Sequence, residues 1–318
     1  MAKSVQPLRS KIQLKFATDF LPSAKSRELQ ALLAGQIARA LAVFCVDEVV
    51  IFDDGNFSPP PDTDSGGGRG KLDHDSYTGY TDPNYFLAHI LSYLECPPYL
   101  RMALFPRHPD FQSSGMLPSL DMPHHAKWTG ECKWREGVAL EAMGSRSSTP
   151  INVGQNEPVF VSSAIPAHSR VTVRTRSDSK GEAVSPSEPR EEEGWYWGYT
   201  VRAASSLSNV LTECPFDGGY NLTVGTSERG KLVSEIASDD GVPGFDHLLV
   251  VFGGVAGIEV AVNADPELKK LDLESPEQLF DYWVNLVPGQ GSRTIRTEEA
   301  VWLGLMALKD IASSKGRS

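Results

Sequence analysis

KIQLKFATDFLPSAKSRELQALLAGQIARALAVFCVDEVVIFDD, residues 11–54, decides the fold class. KIQLKF (11–16) alternates polar and apolar residues and reads as a strand. Residues 26–44 carry Leu29, Leu32, Leu33, Ile37 and Leu41 at helical spacing. Ser26 stands ahead of them, a residue type that caps helix N-termini. VDEVVIFDD (46–54) follows as a short apolar strand closed by acids. Strand, helix, strand in that order calls for a parallel sheet, because a tight turn cannot join parallel strands.

Working outward, residues 55–83 hold PPP, GGG and many Asp, Ser and Thr, and read as a disordered loop. Residues 84–96 resume as a helix with Asn84 as its cap, stopped by Pro97-Pro98. From 107 to 195 the texture changes to short β-type runs, REGVALEAM, EPVFVSS and SRVTVRT, separated by Pro, Gly and Ser. Such spacing predicts a small all-β barrel. After it come strand 195–203, helix 205–211, strands 220–225 and 247–252, helix 276–280, strand 281–287 and helix 295–312. An α/β domain, 8–106 and 196–318, is thus interrupted by a β module at 107–195. In WYWGYT, alternation puts Trp195, Trp197 and Tyr199 on one strand face as core, with base stacking as the alternative. The last helix looks apolar all round. Thr294 or Thr297 is its expected cap, Ala300, Leu303 and Ala307 its sheet-covering face, and Val301, Leu305 and Leu308 the face that meets the partner subunit or the knot's other loops.

At 318 residues the chain suits two domains, or one with an insertion. No run of 18 apolar residues is present to span a membrane, and MAKSVQPLRSKIQLKF lacks the apolar core of a secretory signal. Four scattered cysteines without a CxxC fit a reducing, intracellular compartment. The net charge of −11 argues against non-specific coating of nucleic acid. Between residues 101 and 180, however, ten Lys/Arg face seven Asp/Glu, a net of +3, while the rest sums to −14. Arg107, Lys127, Lys133, Arg135, Arg170, Arg174 and Arg176 could meet a phosphate backbone or form an ordinary solvated face.

Three glycine-bearing loops follow predicted strands: NLTVGTSERG (221–230), LLVVFGGVAGIE (248–259) and YWVNLVPGQGSRTIRTEEA (282–300). Ligands of open parallel sheets bind at the carboxyl ends of strands, and glycine lets backbone approach them. FGGVAG is not a dinucleotide fingerprint, GQGSR is not a phosphate-binding P-loop, and no GxSxG elbow exists. The one metal-like group by sequence, His108, His124, His125 and Cys132, matches no zinc spacing, so no metal is expected.

Taken together, LAGQIARALAVFCVDEVVIFD, YLECPPYLRMALFP, DMPHH, REGVAL, YWGYTVRAASSLSNV, NLTVGTSERG, LLVVFGGVAGIE and VNLVPGQGSRTIRTEEAV resemble the SPOUT class of RNA methyltransferases. Within it they resemble the eukaryotic and archaeal group that includes a human centromere- and spindle-associated member. The likeness runs from about residue 14 to 308, without 55–83, 143–156 and 177–194. It implies an α/β trefoil knot with an inserted OB-like β-barrel module, a homodimer with the active site at its seam, and nuclear or nucleolar work on RNA. It implies that the knot loops bind S-adenosyl-L-methionine (AdoMet), which leaves as S-adenosyl-L-homocysteine (AdoHcy). The matching positions are Gly225 and Thr226, Gly253 and Gly254, then Asn285, Leu286, Val287, Gly289, Gly291, Ser292, Thr294 and Ile295. The barrel cations would hold RNA, ribosomal RNA with uridine N3 as the target by analogy, and Arg293 would join them from the knot loop. Arg39 sits where several SPOUT families keep an acceptor-binding arginine; a surface salt bridge is its other reading. Arg296 and Glu298 are further catalytic candidates, or structural pairs across the dimer. The rival function is an RNA-binding or mitotic interaction protein on the same fold with little catalysis.

Overall fold

The structure, a computed structural model, describes residues 11–17, 21, 24–55, 76–127, 132–141, 148–176, 179–237, 241–254 and 256–316. The chain runs through β1 (Lys11–Ala17), α1 (Arg27–Val43), β2 (Glu48–Phe52) and α2 (Pro83–Glu95). Five short strands follow: β3 (Trp134–Ala139), β4 (Thr149–Asn152), β5 (Val159–Val161), β6 (Arg170–Thr175) and β7 (Lys180–Val184). Then come β8 (Thr200–Ala204), β9 (Leu222–Leu232), β10 (His247–Phe252), β11 (Tyr282–Asn285) and the C-terminal helix Thr297–Lys315. These elements form two compact units, 1–7 with 93–107 and 119–198, and 8–92 with 108–118 and 199–318.

In the larger unit six strands form one sheet in the order β11-β9-β10-β1-β2-β8, and every neighbouring pair is parallel. A parallel sheet is covered on both faces, so its strands need not alternate. Accordingly every residue of β2 is buried, and β10 is buried from Leu248 to Phe252. Val50, Phe52, Leu249 and Val251 pack with Leu207, Ile258 and Phe280 into the main core.

Ser26 caps α1, accepting from the Leu29 amide at 3.3 Å. The buried stripe of α1 keeps Ile37 and Leu41 of the expected one and adds Ala31, Ala34 and Ala38, while Leu29 is 49% exposed. Small residues let the helix lie close to its neighbours; Gly35 meets the ring of Pro118. α2 is capped by Asp82, which accepts from the Tyr85 amide, rather than by Asn84. Most of the loop expected at 55–83 lies outside the described residues. Its end is ordered, with a helical turn at Thr78–Tyr80 in which Thr78 is buried.

The C-terminal helix also turns the other way. Val301, Leu305 and Leu308 are buried, and Gly304 lies against Phe252 and Leu286. Leu303 and Met306 are instead exposed, at 42% and 64%. Its N-cap is Arg296, whose amide donates to the Glu299 carboxylate at 3.0 Å.

In the smaller unit β3-β4-β5-β7-β6 close into a barrel. Four of its pairings are antiparallel, and β5 with β7 is parallel. Ile151, Val153, Val159, Val161 and Val173 fill it. No strand starts at Trp195; β8 begins at Thr200. The two tryptophans therefore do not share a strand face with Tyr199. Trp195 packs edge-on against Trp134, and Trp197 donates to the Glu136 carboxylate at 2.6 Å.

Candidate functional site

Strand register brings the three glycine loops together. Gly225 of β9 pairs with both Val251 of β10 and Trp283 of β11. With all three strands parallel and adjacent, the chain leaves each at the same edge of the sheet. After Gly225 the pairing of β9 with β11 resumes only at Lys231, so residues 226–230 arch out of the ladder. The arch is tied down at both sides: Thr226 donates to the Val251 carbonyl at 3.1 Å, and the Asn285 amide donates to the Glu228 carbonyl at 2.8 Å.

Between these loops lies a cleft of about 350 Å³. Its walls come from Thr226–Arg229, from Gly253, Gly254, Ala256, Gly257 and Glu259, and from Asn285, Leu286, Val287, Gln290, Arg293, Thr294, Ile295 and Ala300. Eight of the expected cofactor residues line it together: Thr226, Gly253, Gly254, Asn285, Leu286, Val287, Thr294 and Ile295. Gly225, Gly289, Gly291 and Ser292 are not among the lining residues. The absent side chain of Gly225 makes room for Trp283 and Phe280. Gly253 is required by its own loop, since a Cβ there would lie 2.5 Å from the backbone of Gly257 and Ile258. Glu228, Arg229, Gly257 and Glu259 also line the cleft, outside the expected cofactor set. The arch after Gly225 and the second turn of the 253–259 segment would have pointed to them.

Of the catalytic candidates none lines the cleft. Arg39 is half-buried on α1 and engaged in contacts there. Arg296 is the exposed cap residue, and Glu298 is buried in the first turn of the last helix, where a carboxylate suits the helix dipole. The arginine that does reach the cleft is Arg293, exposed on the third loop.

A family model described as "Putative RNA methyltransferase" matches residues 11–308. The chain belongs to that family. A protein of Homo sapiens named 28S rRNA (uridine-N(3))-methyltransferase is 45% identical over 304 residues, 91% of this chain and 75% of the relative. One of Drosophila melanogaster with the same name is 42% identical over 315 residues, 96% of this chain and 63% of the relative. Among solved structures, the SpoU methyltransferase AviRb from Streptomyces viridochromogenes, in complex with AdoMet, superposes loosely. Its TM-score is 0.35 at 11% identity, over 100% of this chain and 63% of that one.

In this RNA methyltransferase family member most of the barrel cations expected to face RNA are already committed. Arg135 is 1% exposed and gives its guanidinium to the carbonyls of Lys127 and Val153. Buried behind the strand, it cannot meet a phosphate. Arg170 bonds Glu95 through both terminal nitrogens, at 2.5 and 3.0 Å, and Glu136 through Nε at 2.7 Å. Lys133 pairs with Glu192 and Glu193, and Arg174 with Glu188 and Glu192. Those acids come from EPREEE, residues 188–193, which forms a short helix. Arg176 pairs with Glu182. Arg107 and Lys127 are exposed with no ion pair among the described residues.

The histidines have structural occupations. His124 and His125 both reach the Glu95 carbonyl, at 2.9 and 2.7 Å, and His124 also reaches the Glu95 carboxylate at 3.0 Å. Burial pushes His125 down to about 4. Burial alone would raise the Glu95 carboxyl, but hydrogen bonds from His124 and Arg170, with the Arg170 charge, hold it at about 2. In the larger unit His89, His108 and Asp110 bring three potential ligand atoms within 4.8 Å of one another. Asp110 there also accepts from the amide and the hydroxyl of Thr78.

Proposed function

We propose that this chain is an AdoMet-dependent methyltransferase acting on N3 of a uridine in ribosomal RNA. The observation that carries the reading is the cleft where three glycine loops leave one edge of a parallel sheet. Two of the chain's relatives, 42% and 45% identical, bear that activity in their names. The cleft suits AdoMet in size, since small-molecule pockets run from roughly 300 to 1,000 Å³. It suits it in chemistry, too: Leu286, Val287 and Ile295 offer apolar walls for an adenine, and both charge signs are present for an amino-acid end.

When bound, AdoMet supplies an electrophilic methyl group on a sulfonium sulfur. In the transfer the N3–carbon bond forms, the carbon–sulfur bond breaks, and the N3 proton leaves to solvent or a base. The chain's part is orientation and charge management. A uridine losing its N3 proton spreads negative charge onto O2 and O4. The planar fork of Arg293, exposed at the cleft, is suited to hold that charge. Arg39, Arg296 and Glu298 would have to reach the acceptor across a subunit seam. A homodimer is part of the proposal, and the exposed Val43, Leu303 and Met306 on α1 and the last helix support it. Arg107 and Lys127 are the barrel cations left to meet the RNA backbone. An rRNA substrate puts the work in the nucleus, the nucleolus in particular.

Calorimetry tests the cofactor assignment. Saturable binding of AdoMet and AdoHcy, with none of ATP, is expected. A folded sample that binds only ATP, or neither cofactor, sinks the enzyme and leaves an RNA-binding or interaction protein on this fold.

A further inference from the structure

Resting on the AdoMet reading, we propose that Glu259 is the anionic determinant by which the cleft selects a positively charged ligand. Four charged side chains line the cleft: Glu228, Arg229, Glu259 and Arg293. None has an ion-pair partner among the described residues. Glu228 and Arg229 are exposed on the arch, where water screens them, whereas Glu259 is half-buried.

The place of Glu259 follows from the loop before it. Gly257 has φ +83°, a conformation side chains disfavour, and its missing Cβ leaves space that a Glu259 carboxylate oxygen occupies. The carboxylate is thus folded back over the glycine, on the second residue of the helix Ile258–Ala264. A partly desolvated carboxylate without a counter-ion is costly, and a cationic ligand cancels that cost. AdoMet carries two positive groups, sulfonium and ammonium, against one carboxylate. AdoHcy has lost the sulfonium charge, and 5′-methylthioadenosine keeps the nucleoside end with no charge at all. Arg229 can answer the ligand carboxylate, which leaves Glu259 for the cation.

The test is calorimetry of these three ligands with wild-type chain, Glu259→Gln and Glu259→Asp. Glu259→Gln is expected to weaken AdoMet about ten-fold or more, the loss of a charge-assisted contact. Methylthioadenosine should stay within about two-fold. Glu259→Asp, which keeps the charge, should recover part of the AdoMet affinity. A smaller loss for AdoHcy than for AdoMet puts the carboxylate on the sulfonium, and an equal loss puts it on the ammonium; both uphold the proposal. Unchanged AdoMet affinity overturns it, as does an equal loss for all three ligands, which would mean that Glu259 only shapes the loop. Wild-type chain that binds none of the three overturns the AdoMet reading itself.

Discussion

Glu95→Gln, set against the wild-type chain at pH 6 and pH 3, isolates the buried charge cluster of the barrel unit. The Glu95 side chain is 8% exposed and is held by Arg170 and His124. Its carboxyl lies at about 2, against 4.5 for an ordinary one. A carboxyl depressed in the folded state stabilises fully above its unfolded value and loses that contribution as pH falls towards the folded one. The depression is worth about 3 kcal/mol at neutral pH, at ~1.4 kcal/mol per pH unit. By pH 3 the unfolded chain has taken up most of its proton while the folded one has not, and about 2 kcal/mol of that is gone. Glutamine cannot titrate, so the stability gap between wild type and variant should shrink by about 2 kcal/mol from pH 6 to pH 3. Urea unfolding followed by tryptophan fluorescence reads it, since Trp134, Trp195 and Trp197 all lie in this unit. A gap that stays constant across that range would refute the reasoning, because Glu95 would then titrate alike in both states.

Gly253→Val is expected to cost about 1–3 kcal/mol by overpacking against the Gly257 backbone and to weaken AdoMet binding. An unchanged melting temperature would show that the loop yields freely. Gly291→Ala, with nothing within 4 Å of its added carbon, should leave thermal stability within about 0.5 kcal/mol. Exchanging Arg107 and Lys127 together for glutamine should flatten the salt dependence of RNA binding by about 1.4 log units per log unit of salt on single strands. Arg174→Gln should barely change that slope, because Arg174 already answers Glu188 and Glu192; equal slopes for the two variants would contradict this sorting of the cations.

The α/β character, the strand order along the chain and the three loops were legible because each rests on short-range pattern: strand, helix and glycine in sequence. The meeting of eight expected residues in one cleft follows from that, once the strands are parallel and adjacent. What pattern could not show was facing. Small residues on α1 let Ala31, Ala34 and Ala38 take the inner side where leucines were expected, and the last helix, apolar all round, gave no signal of its own orientation. Charge was misjudged for a related reason. The cations of 101–180 were counted as a patch, but EPREEE lies beyond that window and supplies three of the acids that Lys133 and Arg174 hold. Partners distant in sequence are a property of the fold. Glu259 was overlooked because its meaning lies in the space left by Gly257, two residues away.

The most direct measurement is in vitro methylation of a 28S rRNA fragment by the purified chain with AdoMet, followed by nucleoside mass spectrometry. The account predicts 3-methyluridine, formed by the wild-type chain and reduced by Arg293→Ala. A ribose 2′-O-methyl product, or no methylated uridine from protein that demonstrably binds AdoMet, would contradict it.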